Sequence, residues 1–385
     1  MPYDPDMGFS YERQSQYILS GQYFLHFAVM GGILPYFNLY CYHLGLTGFQ
    51  IGTVSALRSI LLVVFSLIWS GLADRFSARK PIFVLCLFAS TGIWVVYFYA
   101  HSFKEIFLTT LVYGIFYSPV ISFLEAFTID WLGADKPSYG RIRAWGSISF
   151  IMMVILLGEA IDRFSIPIII PLVFIGSLFQ SVASVWIPVP DSPFITPGIH
   201  EIKRFITRPL IRFLCCAFLM LAGHGAYYGF FSIHLEQMGF SKVFIGTTWA
   251  IASASEILVM VKSKTVFSRY SLERILAFSF FVATLRWISL IFFKSPLLIC
   301  ISQITHAVTY GAFHVASILY IDSLAPLDSK TLGQAVNNAV TYGLGLMGGF
   351  LLSGILYAQI GTPGLFAVSG FITLLGGVLF LVLKT

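Results

Sequence analysis

The 385-residue sequence is short of charge: Asp, Glu, Lys and Arg make up 10% of it, against about a quarter in an ordinary soluble domain. With a mean hydropathy of +0.85, this excludes a soluble fold and places the chain in a bilayer. Cysteine is scarce as well. Cys41, Cys86, Cys215, Cys216 and Cys300 stand without metal-ligand spacing, so neither a zinc site nor a disulfide framework is expected and they read as packing residues. The opening MPYDPDMGFSYERQSQ lacks a basic n-region and a small-residue cleavage site, so the first apolar run is expected to be retained as a helix. The glycine cluster GLGLMGG at 343–349 has no strand before it and no lysine after it, which makes it helix packing and not a phosphate loop. No nucleophile motif is present. Neither an enzyme nor a bound cofactor is expected.

What the chain has in abundance is apolar runs of membrane-spanning length. At roughly 20 residues per crossing, they give twelve helices, at about 16–40, 50–72, 81–100, 106–128, 141–161, 166–187, 210–234, 243–261, 273–293, 297–320, 333–357 and 364–383. The fold class is therefore an all-α membrane protein. Basic residues fall on one side of this topology. That side holds Arg13, Arg75, Arg79, Lys80, Lys136, Arg141, Lys203, Arg204, Arg208, Arg212, Lys262, Lys264, Arg269, Arg274, Lys330 and Lys384, and the other only Lys104, Arg163, Lys242 and Lys294. Cytoplasmic loops carry such an excess, so both termini are expected in the cytoplasm. The net charge of +6 follows from that bias and does not indicate a nucleic-acid partner.

The chain also repeats. With a shift of 194, Phe37, Gly45, Ile51, Gly52 and Thr53 fall on Phe231, Gly239, Ile245, Gly246 and Thr247, and with a shift of 192, Ile129-Asp130 falls on Ile321-Asp322. Two pseudo-symmetric six-helix bundles are expected, 1–187 and 210–385, joined by a proline-rich basic linker at 188–209. Duplicated halves with a solute site between them, near mid-membrane, suit alternating access.

The loop SGLADRFSARKP at 70–81 resembles the cytoplasmic loop signature of the major facilitator superfamily, with Ser70 and Ser77 where glycines are usual. In that family its acidic and basic residues latch the halves together, which implies a gate of Asp74, Arg75, Arg79 and Lys80. Further stretches resemble the lactose permease-like branch and, more closely, the phenylpropionate permease group. These are Glu125 with Ala-Phe after it, YGRIRAWGS with Arg143, GHGAYYGFFSI at 223–233, Glu256, TLRWISL with Arg286, and QITHAVTYGAFHVASILYID at 303–322. Arg141 and Arg143 lie about 200° apart on a helix, and the resemblance selects Arg143. Phe150 stands where the sugar permeases carry a tryptophan, and Thr309 where they carry a proton-binding glutamate. Galactoside transport is therefore not expected, and the proton site has to be sought elsewhere.

Ionised side chains in hydrocarbon cost at least about 2.5–3.5 kcal/mol each on insertion scales, so they face one another or a wet cavity. The deep charges are Arg58, Glu125, Arg143, Glu256 and Arg286. Three cations against two anions suit an anionic solute. Polar and aromatic residues recur at helical spacing in three stripes: Gln303, His306, Tyr310 and His314; His224, Tyr227, Tyr228 and Phe231; Asn338, Thr341, Tyr342 and Gly345. The expected solute site is Arg58, Glu125, Arg143, Phe150, His224, Tyr228, His306, Tyr310 and Asn338. Proton coupling is expected at Glu256 with Arg286 and His306, imidazole being the group that titrates near neutrality. The sequence thus reads as a monomeric permease of the bacterial inner membrane. It would move a small aromatic or anionic solute, such as a phenylpropionate-like carboxylate, together with protons. A nucleoside or sugar symporter is the second reading, and a solute receptor without transport the third.

Overall fold

The computed structural model describes residues 5–133, 135, 138–188, 207–325 and 330–383, and every regular element among them is a helix. The greater part of the expected linker, with Lys203 and Arg204, lies outside the described residues, as do Lys136, Pro137 and Lys384. The first six crossings are α1 (Pro5–His43), α2 (Gly48–Arg75), α3 (Arg79–Trp94), α4 (Phe103–Tyr117 and Val120–Leu132), α5 (Tyr139–Phe164) and α6 (Ile169–Ser184). Four more are α7 (Arg208–Gln237), α8 (Lys242–Arg269), α9 (Leu272–Phe292) and α10 (Pro296–Ile304 and Phe313–Leu324). Within α4 the break falls at Pro119, whose ring supplies no N–H to the helix ladder.

The last two crossings, α11 and α12, share one continuous helical stretch. α11 starts as Lys330–Asn337, passes through a π-helical segment, Asn338–Gly345, and enters Leu346–Leu383. Those 38 residues would span roughly 57 Å if straight, about twice the hydrocarbon thickness. They turn back at Gly361, whose φ of 61° is open to glycine. The packing shows the reversal: Gly225 meets Gly349 while Gly223 meets Thr373, so positions 349 and 373 lie at one depth. α12 is the part after Gly361. Among the described residues the crossings number twelve, so the start of α1 and the end of α12 lie on the same side.

The internal repeat is visible in the turns. Gly45 and Gly239, equivalent under the shift of 194, both adopt left-handed backbone, with φ of 81° and 84°. Two residues on, Thr47 and Ser241 cap α2 and α8 through their side-chain oxygens, the favoured way to satisfy the first free N–H groups of a helix.

The hydrophobic core is continuous on one side and divided on the other. Far from the termini, Tyr36, Phe37, Ile51, Trp94, Val154 and Leu157 of the first half form one cluster with Tyr227, Phe230, Ile245, Trp249 and Leu365 of the second. Near the termini the halves keep separate cores, one around Leu19, Phe83, Phe127 and Ile142 and the other around Phe213, Phe280, Phe313 and Phe380. Among the described residues the bundles share one core at the far side and keep separate cores at the termini side.

Glycines make the far seam tight. A methyl group on Gly246 of α8 would strike the Val154 carbonyl of α5, and one on Gly52 of α2 would come within 2.8 Å of Gly354 Cα on α11. The Tyr36 hydroxyl is shared between the Val154 carbonyl at 2.6 Å and the Lys242 carbonyl across the seam at 3.0 Å. Asp162 of α5 accepts from the backbone N–H groups of Lys242 and Val243, both at 3.0 Å, and so caps α8 from the opposite bundle. Gly246→Val should therefore part the seam and leave each bundle folded, whereas Gly225→Val, inside one bundle, should lower thermal stability sharply. Reaction of a Val154→Cys reporter with a membrane-impermeant maleimide checks this, and should run roughly tenfold faster with Gly246→Val.

Candidate functional site

Arginine in a helix interior has five N–H donors to satisfy and no acceptor. Arg286 of α9, only 2% exposed, finds neutral acceptors. Nη1 donates to His306 Nδ1 at 2.6 Å and Thr309 Oγ1 at 3.2 Å, and Nη2 to Gln303 Oε1 at 2.8 Å. The guanidinium also lies 4.4 Å from the ring centre of Tyr227 and 4.8 Å from that of Trp287, close enough for cation–π attraction.

This arrangement fixes the imidazole. Because Arg286 can only donate, His306 Nδ1 must accept, and the ring proton sits on Nε2. Nε2 faces Glu256 Oε1 of α8 at 2.9 Å. Arg286, His306 and Glu256 thus form one polar chain, with Thr309 occupying the position expected to lack a carboxylate. Glu256 interacts electrostatically with His314 and Arg286 in its own bundle and with Arg143 in the other.

The helix carrying His306 is not regular α-helix there. Ala307–Ala312 is π-helical, and so is Asn338–Gly345 on α11, a conformation common at functional sites. Along α10 the rings of His306, Tyr310 and His314 stack in a column, with centroids 5.3 and 6.1 Å apart, and His314 Nδ1 meets the Tyr342 hydroxyl at 2.6 Å. Tyr228 borders the column, its hydroxyl 3.4 Å from His306 Nε2. His224 is fully buried, donates Nδ1–H to its own helix at Met220, and packs edge-on against Trp287.

Two positions differ from expectation. The wider π turn shifts the α11 stripe: Asn338 is exposed, and Asn337 takes the interior place, accepting from Ser317 and Thr341 at 3.2 and 3.0 Å. A 3.6-residue period cannot find a residue whose turn is longer. Phe150 lies buried in the core that the bundles share at the far side.

In the first bundle Arg143 is stacked on Phe27, 3.9 Å from the ring centre, while Arg141 is exposed. Glu125 and Arg143 interact electrostatically without direct ion-pair contact, and Tyr139 lies in the surroundings of both. Arg58 sits apart, donating to Asn38 Oδ1 at 2.8 Å and lying 4.9 Å from the centre of the Phe37 ring. Among the described residues no carboxylate forms an ion pair with it. At the termini side Arg79 bridges Asp74 and Asp130, at 3.2 and 3.0 Å, and Lys80 donates to the Ile187 carbonyl at 2.9 Å. Arg75 lies exposed over Phe76. The second bundle has its own pair, Lys330 with Asp322 at 2.7 Å. Each of these bonds stays within one bundle.

Relatives of known name share this architecture. The MFS_1 like family matches residues 16–368. The chain is 28% identical over 375 residues to the probable 3-phenylpropionic acid transporter of Escherichia coli (strain K12), covering 94% of this chain and 96% of that one. It is 24% identical to the maltose permease of Geobacillus stearothermophilus, with 86% of each covered. A solved structure of the nucleoside transporter NupG, in a point-mutant form, superposes with a TM-score of 0.89 at 17% identity, over 96% of this chain and 100% of that one, a likeness of fold. The chain belongs to the MFS_1 like family, and is a secondary transporter of the major facilitator kind and not an enzyme.

Proposed function

We propose that the chain imports a small aromatic carboxylate together with protons across a bacterial cytoplasmic membrane, as a monomer with both termini in the cytoplasm. The basic side of the topology supports that orientation. In it the far seam faces outward, and the described conformation is open toward the cytoplasm.

The observation that carries the coupling is the position of Glu256. It contacts His306 directly and lies within electrostatic reach of Arg286 in its own bundle and Arg143 in the other, so its electrostatic surroundings change whenever the bundles move apart. A carboxylate whose neighbours and hydration differ between two states binds its proton differently in each, which is what coupling requires. Thr309 cannot do this, and Glu125 shares Arg143 within its own bundle, where the solute site is completed.

The solute class follows from the cations. Arg58 and Arg286 are held by neutral acceptors and aromatic faces, and a buried cation without a carboxylate costs several kcal/mol unless an anion or water compensates. Tyr227, Tyr228, Trp249 and Tyr310 line the second bundle with aromatic surface. The relative named for 3-phenylpropionic acid supports the same reading. When the cytoplasmic side closes, Asp74, Arg75, Arg79 and Lys80 supply the gate.

Sealed vesicles with an imposed pH gradient test the coupling. Glu256→Gln should abolish proton-driven accumulation of labelled 3-phenylpropionate while solute exchange continues; uphill uptake by the variant removes Glu256 from the coupling role. A competition panel tests the solute class. Phenyl carboxylates should inhibit uptake at least roughly tenfold better than uridine or maltose, a difference of about 1.4 kcal/mol. Stronger inhibition by either neutral compound would replace the anion by a nucleoside or sugar.

A further inference from the structure

Asn38 on α1, 4% exposed, is the one side chain in direct hydrogen-bond contact with both Arg58 and the opposite bundle among the described residues. Its Oδ1 accepts from Arg58 Nη2 at 2.8 Å and from Ser55 Oγ at 3.2 Å. Its Nδ2 lies 3.0 Å from Ser55 Oγ and donates to the Gly229 carbonyl of α7 at 3.1 Å. Arginine only donates and a backbone carbonyl only accepts, so the orientation of the amide is dictated by both partners. An amide is what this position demands. A carboxylate could hold Arg58 but would turn an oxygen toward the Gly229 carbonyl, and an aliphatic side chain would leave three buried polar groups short of a partner.

Gly229 borders the far seam: its neighbour on α11 is Phe350, whose carbonyl lies against Gly52 of α2 in the other bundle, and the adjacent Tyr228 reaches His306. We infer that Asn38 is the positioning residue that makes closure of the far seam depend on Arg58. With Arg58 donating to Oδ1, the amide N–H is aimed at α7 and the bundles bond across the seam. When the guanidinium turns away, only the Ser55 hydroxyl is left donating to Oδ1, and the amide is held less firmly toward Gly229. Its role in transport rests on the proposal that Arg58 meets the solute anion; the contact between bundles does not.

The test separates the two. Spin labels at Arg163→Cys, in the last turn of α5, and Lys294→Cys, just after α9, exposed positions on opposite bundles, report the far seam by pulsed electron resonance in a background without the native cysteines and without solute. The parent should give one short-distance population. Asn38→Asp should move the population ratio roughly tenfold toward a longer distance, the scale of one buried hydrogen bond. If Asn38 served only to hold Arg58, the aspartate would do so at least as well, and an unchanged short distance would overturn the inference. Asn38→Ser, neutral and too short to span Arg58 and Gly229, provides the second reading should the aspartate variant not fold. Because no solute is present, failure here is distinct from failure of the carboxylate panel.

Discussion

A guanidinium inside a membrane bundle keeps its charge, and there is no bulk water at that depth to solvate it. The structure around Arg286 is organised by that constraint. Gln303, His306 and Thr309 all come from α10 and present acceptors to it, while Tyr227 and Trp287 offer ring faces. The imidazole must present a lone pair to the arginine, and so its single proton is directed at Glu256. One obligatory donor thus sets the orientation of a His and, through it, the partner of a carboxylate two helices away. The π-helical segment beside His306 belongs to the same arrangement, since it widens the turn where these side chains converge.

The second constraint is closeness. At the far side α5 meets α8, and α2 meets α11, through glycines whose missing side chains let backbone touch backbone. In a bilayer helices gain little from hydrophobic contrast and associate through close packing and hydrogen bonds. The polar contacts at this seam, Tyr36 to Lys242, Asp162 to the start of α8 and Asn38 to Gly229, all cross from one bundle to the other. Opposite them, Arg79 pairs with Asp74 and Asp130, and Lys330 with Asp322, within their own bundles. Among the described residues the bonds named here that join the bundles lie on one side of the membrane, and the ion pairs named on the other side each stay within a bundle.

Much of this was legible in the sequence because its physics is local. Apolar runs fix where helices cross, and the repeat already matched Gly45 with Gly239, which both proved to be left-handed turns. Arg286, His306 and Glu256 stood out as polar groups in apolar surroundings. Asn338 was singled out in place of Asn337 because the stripe was read with a period that the π segment does not follow. Glu125 and Arg143 stood out as opposite charges on adjacent crossings, while Tyr139, an ordinary aromatic in the sequence, gave no sign of its place beside both. Asn38 gave no signal at all: one amide near the end of an apolar helix acquires its importance only when α2 and α7 are brought to either side of it.

The central claim is that the two bundles move about a charged core so that one side closes as the other opens. Paired distances test it directly: one across the termini side, between labels at Phe76→Cys and Ser323→Cys, and one across the far side, between labels at Arg163→Cys and Lys294→Cys. With 3-phenylpropionate added at acid pH, the account predicts that the first distance shortens as the second lengthens. Two distances that stay fixed, or that grow together, while the same protein sustains uptake in vesicles would contradict it.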